Sequence, residues 1–390
     1  MATDIVICGG GILGIASALE LRARGATVTV LEPGPLPHPD AASTDISKLI
    51  RADYAKDAFY SDLMEDSFEG FRSWNMQLGE TLFHETGLLV LCKAKRLESG
   101  SFEGESFELL SERDYPLRLM LGPEISRRIP AIRDGAYPTA YINERGGWAE
   151  SGRFVSALAK EAIAKGVTIR EHVAIRPFAE LSSNARSEIV TDSGEKISCG
   201  TVIVATGAFT PVVLPELADR MRPVGQPVFH FAPSDPSLFS APKFLPWAAD
   251  IAQSGFYGFP FHAGVLKVAN HGRGIVTDPH GPRVVGADEE VRFRAFLRET
   301  MPAVTDAPVV RTRLCLYCDT FDGDFFIDHH PDRPGVVVAS GGSGHMFKFA
   351  PALGRYVADL AENKPNSKLA ARFRFRAKGE RRLEAARSDA

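Results

Sequence analysis

The chain has 390 residues, of which 44% are hydrophobic and 24% charged, with 35 glycines and 26 prolines. These values exclude a disordered or collagen-like chain and predict two or three structural units with a large core. The formal net charge of −4 lacks the basic field of a nucleic-acid-binding protein, so we do not expect nucleic acid as a partner.

Cysteine usage and hydropathy give the expected location. Five cysteines, an odd number in a long chain, argue against a disulfide framework and indicate a reducing compartment. No run approaches the roughly 18 apolar residues needed to span a bilayer, and the start lacks a secretory signal pattern. We therefore expect a cytoplasmic protein, with no membrane partner, that exists as a monomer or a small homo-oligomer.

The first 32 residues carry the strongest local pattern. A buried strand over 4–8 precedes Gly9, Gly11 and Gly14 at GxGxxG spacing; a helix follows, and then a second strand over 27–31 that ends at Glu32. The glycines allow a tight turn and a close approach of pyrophosphate to the helix N-terminus, and the acid can accept from a ribose hydroxyl. This βαβ unit predicts dinucleotide binding.

Further along the chain, periodicity predicts helices over 57–74, 153–165, 289–301 and 351–362. Paired strands are expected over 81–93, and the segment 97–115 shows no clear period. Strands are expected over 168–172, 188–191, 324–328 and 335–340. A buried strand over 201–205 leads into a glycine turn at Gly207, which a parallel sheet would bring close to the same cofactor.

These elements predict an α/β fold with a Rossmann-type domain and a second, mostly antiparallel β-sheet domain that forms the substrate site. We expect the nucleotide domain to be discontinuous, over 1–80, 145–225 and 324–370. The second domain would take 81–144 and 226–323, where short apolar strands alternate with turns. Residues 371–390 form an arginine-rich tail, for which a solvated or surface-packed segment is favoured over a polyanion site.

Other motifs give little chemistry on their own. Cys315 and Cys318 have CxxC spacing but no second pair, and no His pair has metal-ligand spacing, so no metal site is expected. The turn 341–345 lacks the final glycine of a nucleophile elbow, so Ser343 is rejected as a nucleophile. The adjacent His329 and His330 are expected at the surface. Composition and spacing thus support a flavin or nicotinamide enzyme and leave the substrate open.

The chain resembles the sarcosine oxidase-type flavin amine oxidases, a family that includes N-methyl amino acid, pipecolate and fructosyl amino acid oxidases. The resemblance covers most of the chain and depends on ordered motifs. They are the glycine loop with Glu32, the segment Asp45-Ile46-Ser47-Lys48-Leu49-Ile50-Arg51, Tyr257-Gly258-Phe259-Pro260 with Leu266-Lys267, Cys315-Leu316-Tyr317, and 343–349.

The resemblance implies FAD, carried by Cys315 as a thioether at the 8α carbon of the flavin. It implies that Arg51 and Lys348 grip a substrate carboxylate, that Lys267 serves oxygen reduction, and that His271 lies near the substrate. The expected FAD-binding set is Gly9, Gly11, Ile12, Gly14, Glu32, Ser43, Lys48, Gly207, Cys315, Gly344, His345 and Lys348.

The implied reaction is oxidation of an amino acid-like secondary amine by molecular oxygen, giving an imine that hydrolyses and hydrogen peroxide. The segment 45–51 looks closer to fructosyl amino acid oxidases, whereas 267–271 looks closer to the sarcosine and pipecolate types. The small Ala269 is expected to leave space for a substrate larger than sarcosine. Two alternatives stay open: an amine dehydrogenase with a non-oxygen acceptor, and a flavin-binding protein without turnover.

Overall fold

The computed structural model describes residues 4–97, 100–178 and 187–378. Within these ranges the strands in chain order are β1 (Asp4–Cys8), β2 (Thr27–Glu32), β3 (Lys48–Ile50), β4 (Phe83–His84), β5 (Leu88–Cys92), β6 (Leu117–Leu121), β7 (Thr139–Asn143), β8 (Gly147–Ala149), β9 (Thr168–Glu171), β10 (Ser187–Val190), β11 (Lys196–Cys199), β12 (Thr201–Val204), β13 (Met221–Phe231), β14 (Trp247–Ala249), β15 (Phe256–Gly258), β16 (Leu266–Asn270), β17 (Ile275–Val276), β18 (Val309–Thr320), β19 (Phe326–His329) and β20 (Val336–Ser340). The helices are α1 (Ile12–Ala23), α2 (Ala58–Leu78), α3 (Phe102–Ser111), α4 (Pro123–Arg128), α5 (Ser151–Ala164), α6 (Thr210–Val213), α7 (Ala287–Thr300), α8 (Ala350–Ala361) and α9 (Ser367–Phe373).

A six-stranded sheet, in the order β19-β20-β12-β1-β2-β9, confirms the Rossmann-type expectation. Its strands pair in parallel except for β19, which runs antiparallel to β20. The central strands are buried apolar runs because helices cover the sheet. Helix α1 packs against α5 and α8, so the amphipathic faces predicted for these segments meet in one core.

A nine-stranded sheet forms the second layer system, in the order β17-β13-β16-β15-β14-β5-β7-β6, with β18 paired to β13. All of its pairings are antiparallel except the one between β14 and β5. Aromatic residues of this sheet, among them Phe229 and Phe256, pack on Phe293 of α7. The mixed α/β fold with a mostly antiparallel second sheet is therefore confirmed.

One local expectation was wrong, and one helix was not predicted. The segment 81–93 holds two strands, but β4 pairs with β8 while β5 pairs with β7 and β14, so they do not pair with each other. The segment 97–115 contains helix α3, which begins at a Ser101 cap whose side chain accepts from the Gly104 amide. Its polar sequence conceals the helix because only part of one face is buried.

The C-terminal segment was expected to be solvated or packed on the surface, but part of it is buried. Arg376 is buried; its guanidinium pairs with Asp322 and lies 4.1 Å from the Phe326 ring centroid. Arg372 pairs with Asp324 at 2.7 Å. Residues 379–390, with the remaining arginines of the tail, lie outside the described ranges. The arginine-rich segment therefore contributes buried ion pairs. The pattern of charges in the sequence does not by itself distinguish such buried arginines from solvated ones.

His330 is likewise buried, whereas exposure was expected. Its ring lies 5.5 Å from that of Phe375, and its Nε2 is 3.2 Å from Glu216.

Strand β13 continues across residue 225, where the predicted division into two domains falls. Among the described residues, no helix combines the length and apolar character that crossing a bilayer requires.

Candidate active site

The glycine loop joins β1 to α1 at the centre of the six-stranded sheet. A Cβ added to Gly14 would lie 2.0 Å from the Gly9 carbonyl oxygen, so the helix can approach the strand this closely only without a side chain. Gly11 caps the helix, which begins at Ile12. The Ile12 amide donates to the Ser43 hydroxyl at 3.3 Å, which brings a predicted cofactor residue from the next loop to the same helix end.

Glu32 lies at the end of β2, beside this loop. One of its carboxylate oxygens accepts from the Gly10 amide at 2.7 Å. Burial raises the pKa of the Glu32 carboxyl, and the Gly10 amide acts in the opposite direction. A helix N-terminus for pyrophosphate and an acid at the end of the second strand suit the ADP half of FAD.

A cleft lies between the two large sheets, and distant parts of the sequence build its walls. Six residues predicted from the sequence line it: Lys48, Arg51, His271, Gly344, His345 and Lys348. Leu49, Ile251, Tyr257, Tyr317 and Phe347 complete the wall. The cationic groups are therefore set among apolar and aromatic side chains.

Arg51 and Lys348 meet at Tyr54. The guanidinium carbon of Arg51 lies 4.8 Å from the Tyr54 ring centroid, and the Lys348 ammonium donates to the Tyr54 hydroxyl at 3.0 Å. The same ammonium donates to the His345 carbonyl at 3.0 Å. A guanidinium and an ammonium on one tyrosine form a site that suits a carboxylate.

His345 extends this network. Its Nε2 lies 3.1 Å from the Gly323 carbonyl, which can only accept, so Nε2 carries a hydrogen. Nδ1 of the neutral ring then accepts from the Tyr54 hydroxyl at 3.0 Å. The Tyr54 hydroxyl thus accepts from Lys348 and donates to His345, so its direction is fixed from both sides.

Lys267 lies in β16 and is buried behind the cleft. Its ammonium donates to Asp45 and to the Ser47 carbonyl, both at 2.7 Å, and lies 4.7 Å from the Phe259 ring centroid. Burial lowers the pKa of Lys267 to about 8, against the opposing influence of the Asp45 carboxylate. The cations around Asp45, above all Lys267, hold the pKa of that carboxyl well below its usual range despite its burial.

Cys315 lies in β18, buried beside Lys48, whose ammonium is 4.0 Å from its sulfur. Burial favours neutral Lys48, but the neighbouring Cys315 and Asp45 side chains act more strongly and raise its pKa. Cys318 packs in a separate cluster, near the Ser340 hydroxyl. The two cysteines differ because residues three apart on a strand face opposite sides of the sheet.

Gly344 and His271 lie together with Tyr317 at one side of the cleft. A Cβ added to Gly344 would lie 2.3 Å from the Tyr317 ring and 2.9 Å from His271. The turn after β20 can therefore reach these two side chains only with glycine at this position. Gly207 follows β12 and does not line the cleft, although the preceding Thr206 lies against Gly9.

Sequence reasoning missed two residues of this site and misplaced one. Tyr54 gave no signal, because its partner Lys348 is 294 residues away. Asp45 was noted only as part of a motif, yet its carboxylate bonds Lys267. Ala269 is fully buried opposite Tyr257 in the β15–β16 pairing and does not line the cleft, so it does not enlarge the substrate space as expected.

Comparison with known proteins resolves the family. The model of the DAO family, described as FAD dependent oxidoreductase, matches residues 4–360. The chain belongs to this family. The DAO-family protein therefore uses FAD, and the glycine loop and Glu32 fit that cofactor.

Curated relatives agree with the expected branch of the family. The DAO-family protein is 28% identical over 365 residues to monomeric sarcosine oxidase from Bacillus sp. (strain B-0618), covering 92% of each chain. It is 26% identical to N-methyl-L-tryptophan oxidase from Yersinia pestis (strain Pestoides F), covering 94% of this chain and 96% of the other. These relatives confirm the sarcosine oxidase-type family and the class of FAD-dependent amine oxidase.

Solved structures show the same fold. Fructosamine oxidase from Aspergillus fumigatus (Amadoriase II) superposes with a TM-score of 0.80 at 24% identity, covering 96% of this chain and 89% of the other. Fructosyl peptide oxidase from E. terrenum superposes with a TM-score of 0.83 at 21% identity, covering 96% and 92%.

Proposed function

We propose that this protein oxidises a secondary amino acid with molecular oxygen, releasing hydrogen peroxide. The observation that carries the proposal is the pairing of Arg51 and Lys348 on Tyr54 in a cleft whose other walls combine apolar and aromatic residues with Lys48, His271 and His345. A simple amine would have no use for two cations at this position, whereas a carboxylate would bind both.

The reaction balances as two half-reactions. The carbon alpha to the secondary nitrogen loses a hydride and the nitrogen loses a proton, which together leave an imine; water then converts the imine to a carbonyl compound and an amine. Oxygen takes up two electrons and two protons to give hydrogen peroxide. Bound FAD supplies the acceptor that carries the two electrons between these half-reactions.

The protein's own residues have separate tasks in this scheme. Arg51 and Lys348 hold the carboxylate, which fixes the orientation of the amine. His271, which lines the cleft beside Gly344 and Tyr317, borders the substrate. The Lys267 ammonium, held in a buried position, stabilises negative charge on oxygen as oxygen is reduced.

Cys315 is proposed as the covalent attachment point of FAD. It is buried, and the Lys48 ammonium lies 4.0 Å from its sulfur; the thiolate of a cysteine is the nucleophile that can form a thioether. Acid precipitation should leave wild-type protein yellow, and Cys315→Ser should release the colour into the supernatant. The matched control is Cys318→Ser, which should retain the colour; release of the colour from folded wild type would contradict the link.

The substrate is proposed to be an N-methyl, cyclic or fructosyl amino acid. Sarcosine and N-methyl-L-tryptophan, which the relatives' names contain, are both N-methylated amino acids. The apolar walls formed by Leu49, Ile251 and Phe347 offer a surface for the part of the substrate beyond its carboxylate.

A peroxide-coupled screen of purified holoenzyme tests the function. N-methyl, cyclic and fructosyl amino acids should yield peroxide, whereas matched amines without a carboxylate should yield far less. Substrate-dependent reduction of a dye without peroxide would replace the oxidase by a dehydrogenase. Flavin that is bleached by none of these compounds would favour a protein without turnover.

A further inference from the structure

Asp45 has no role in the reaction proposed above, although its carboxylate lies among several basic side chains. Strands β16, β13 and β18 place Lys267, His230 and Arg311 side by side in register, as one row across the sheet. Asp45 reaches this row from the loop before β3. Its carboxylate oxygens lie 2.7 Å from the Lys267 nitrogen, 3.7 Å from His230 Nε2 and 3.8 Å from Arg311.

Of these neighbours, Lys267 makes the hydrogen bond. His230 Nδ1 lies 3.2 Å from the Arg311 carbonyl, which can only accept, so Nδ1 carries the hydrogen of the neutral ring. Burial lowers the pKa of His230, which favours that neutral form. The Arg311 side chain is 53% exposed, so water screens its charge.

The Lys267–Asp45 pair is enclosed. The Lys267 side chain is 1% exposed and that of Asp45 is 0% exposed. The Ser47 carbonyl binds the same ammonium, so a second residue of the Asp45 loop fixes its direction. Lys48 lies 3.6 Å from Asp45 on the side of Cys315, and Arg313 adds positive charge nearby.

We propose that Asp45 is a positioning residue for oxygen reduction: its carboxylate fixes the Lys267 ammonium behind the cleft and keeps it charged. The inference rests on the proposed role of Lys267 in the oxidase reaction. An isolated ammonium in a buried site loses its proton unless an anion compensates for the lost hydration. Asp45 provides that anion without being exposed to substrate.

The proposal has a defined pH dependence. Oxygen reduction needs protonated Lys267, so its rate constant should fall as pH rises through the pKa of about 8. Without the Asp45 carboxylate, the pKa of Lys267 drops further, and the fall moves to lower pH. At pH values well above the pKa, lowering the pKa of Lys267 by one unit lowers its protonated fraction about tenfold.

Asp45→Asn holoenzyme provides the test. Stopped-flow mixing of reduced enzyme with oxygen across pH 6–10 should show the transition displaced toward acid, with a loss of about fivefold at pH 8 for one pH unit of displacement and about tenfold at higher pH. Anaerobic reduction by substrate should change little. The flavin absorbance of oxidised enzyme without substrate, titrated over the same range, should show the same displacement and does not depend on turnover.

Two further variants distinguish positioning from general damage. Asp322→Asn removes the carboxylate of another buried ion pair, with Arg376, and should leave both titrations unchanged. The double variant Asp45→Asn/Lys267→Met should reoxidise as slowly as Lys267→Met alone. It should also melt at a higher temperature than Asp45→Asn, because it leaves no isolated ammonium in the buried site.

These measurements distinguish a failure of the role proposed for Asp45 from a failure of the oxidase proposal. If Lys267→Met slows reoxidation but Asp45→Asn leaves both titrations in place, the role of Asp45 is wrong and the oxidase proposal stands. If Lys267→Met reoxidises like wild type, the proposed role of Lys267 is wrong. If Asp45→Asn does not fold, a double variant that folds supports the charge pairing, whereas a double variant that also fails to fold shows that the fold itself needs Asp45 and overturns the inference.

Discussion

Lys267 and Lys348, which we propose serve the same reaction, have different surroundings. Both side chains are buried. The Lys267 ammonium bonds a carboxylate at 2.7 Å, whereas Lys348 donates to a tyrosine hydroxyl and a backbone carbonyl, both at 3.0 Å. Bonds to neutral oxygens hold the position of a cation without cancelling its charge.

The difference teaches how one residue type can serve two tasks. A lysine that binds an anionic substrate needs a fixed position and a charge directed at the ligand. A lysine that serves oxygen needs to keep its proton in a buried site, and an internal carboxylate supplies that. The two lysines therefore differ in their bonding partners more than in their burial, and this difference supports the two proposed roles.

Lys267→Met should produce the largest effect, because it removes the buried charge and keeps the length of the side chain. Loss of one stabilising group costs about 10²–10³ in rate, and the loss should fall on reoxidation by oxygen. Rapid-reaction measurement of each half-reaction checks this. Equal losses in both half-reactions would place Lys267 in substrate binding and would remove the contrast with Lys348.

Lys348→Met should weaken carboxylate binding by more than an order of magnitude, since truncating one partner of a desolvated charge pair costs about 2–5 kcal/mol. Arg51→Ala should behave in the same way. The measurement is the dissociation constant of a small carboxylate competitor, read from the flavin spectrum. FAD content and reoxidation should stay close to wild type, and unchanged competitor affinity in both variants would rule out the carboxylate site.

Tyr54→Phe should have the smallest effect of the three. It keeps the ring below Arg51 and removes only the hydroxyl that connects Lys348 to His345. Loss of about 0.5–1.5 kcal/mol predicts a rise of about twofold to tenfold in the competitor's dissociation constant. A loss as large as that of Lys348→Met would mean that the hydroxyl itself binds the ligand.

The sequence alone determined those parts of the molecule whose residues are close neighbours in the chain. The glycine loop, helix α1 and Glu32 follow from spacing within 32 residues, because the βαβ unit is built from local turns and short-range packing. Apolar runs identified the buried strands β12 and β20. Family motifs then predicted roles for Arg51, Lys267, Cys315 and Lys348, of which Arg51 and Lys348 line the cleft; the roles stay predictions.

Only the tertiary structure decided how those residues act together. The contact between Tyr54 and Lys348 spans 294 residues, and Asp45 meets Lys267 across 222. Helix α3 and the buried Arg376 also depend on partners that lie far away in the sequence. Local patterns report periodicity and propensity, whereas hydrogen-bond direction, burial and the pKa of a lysine depend on atoms that the fold brings together.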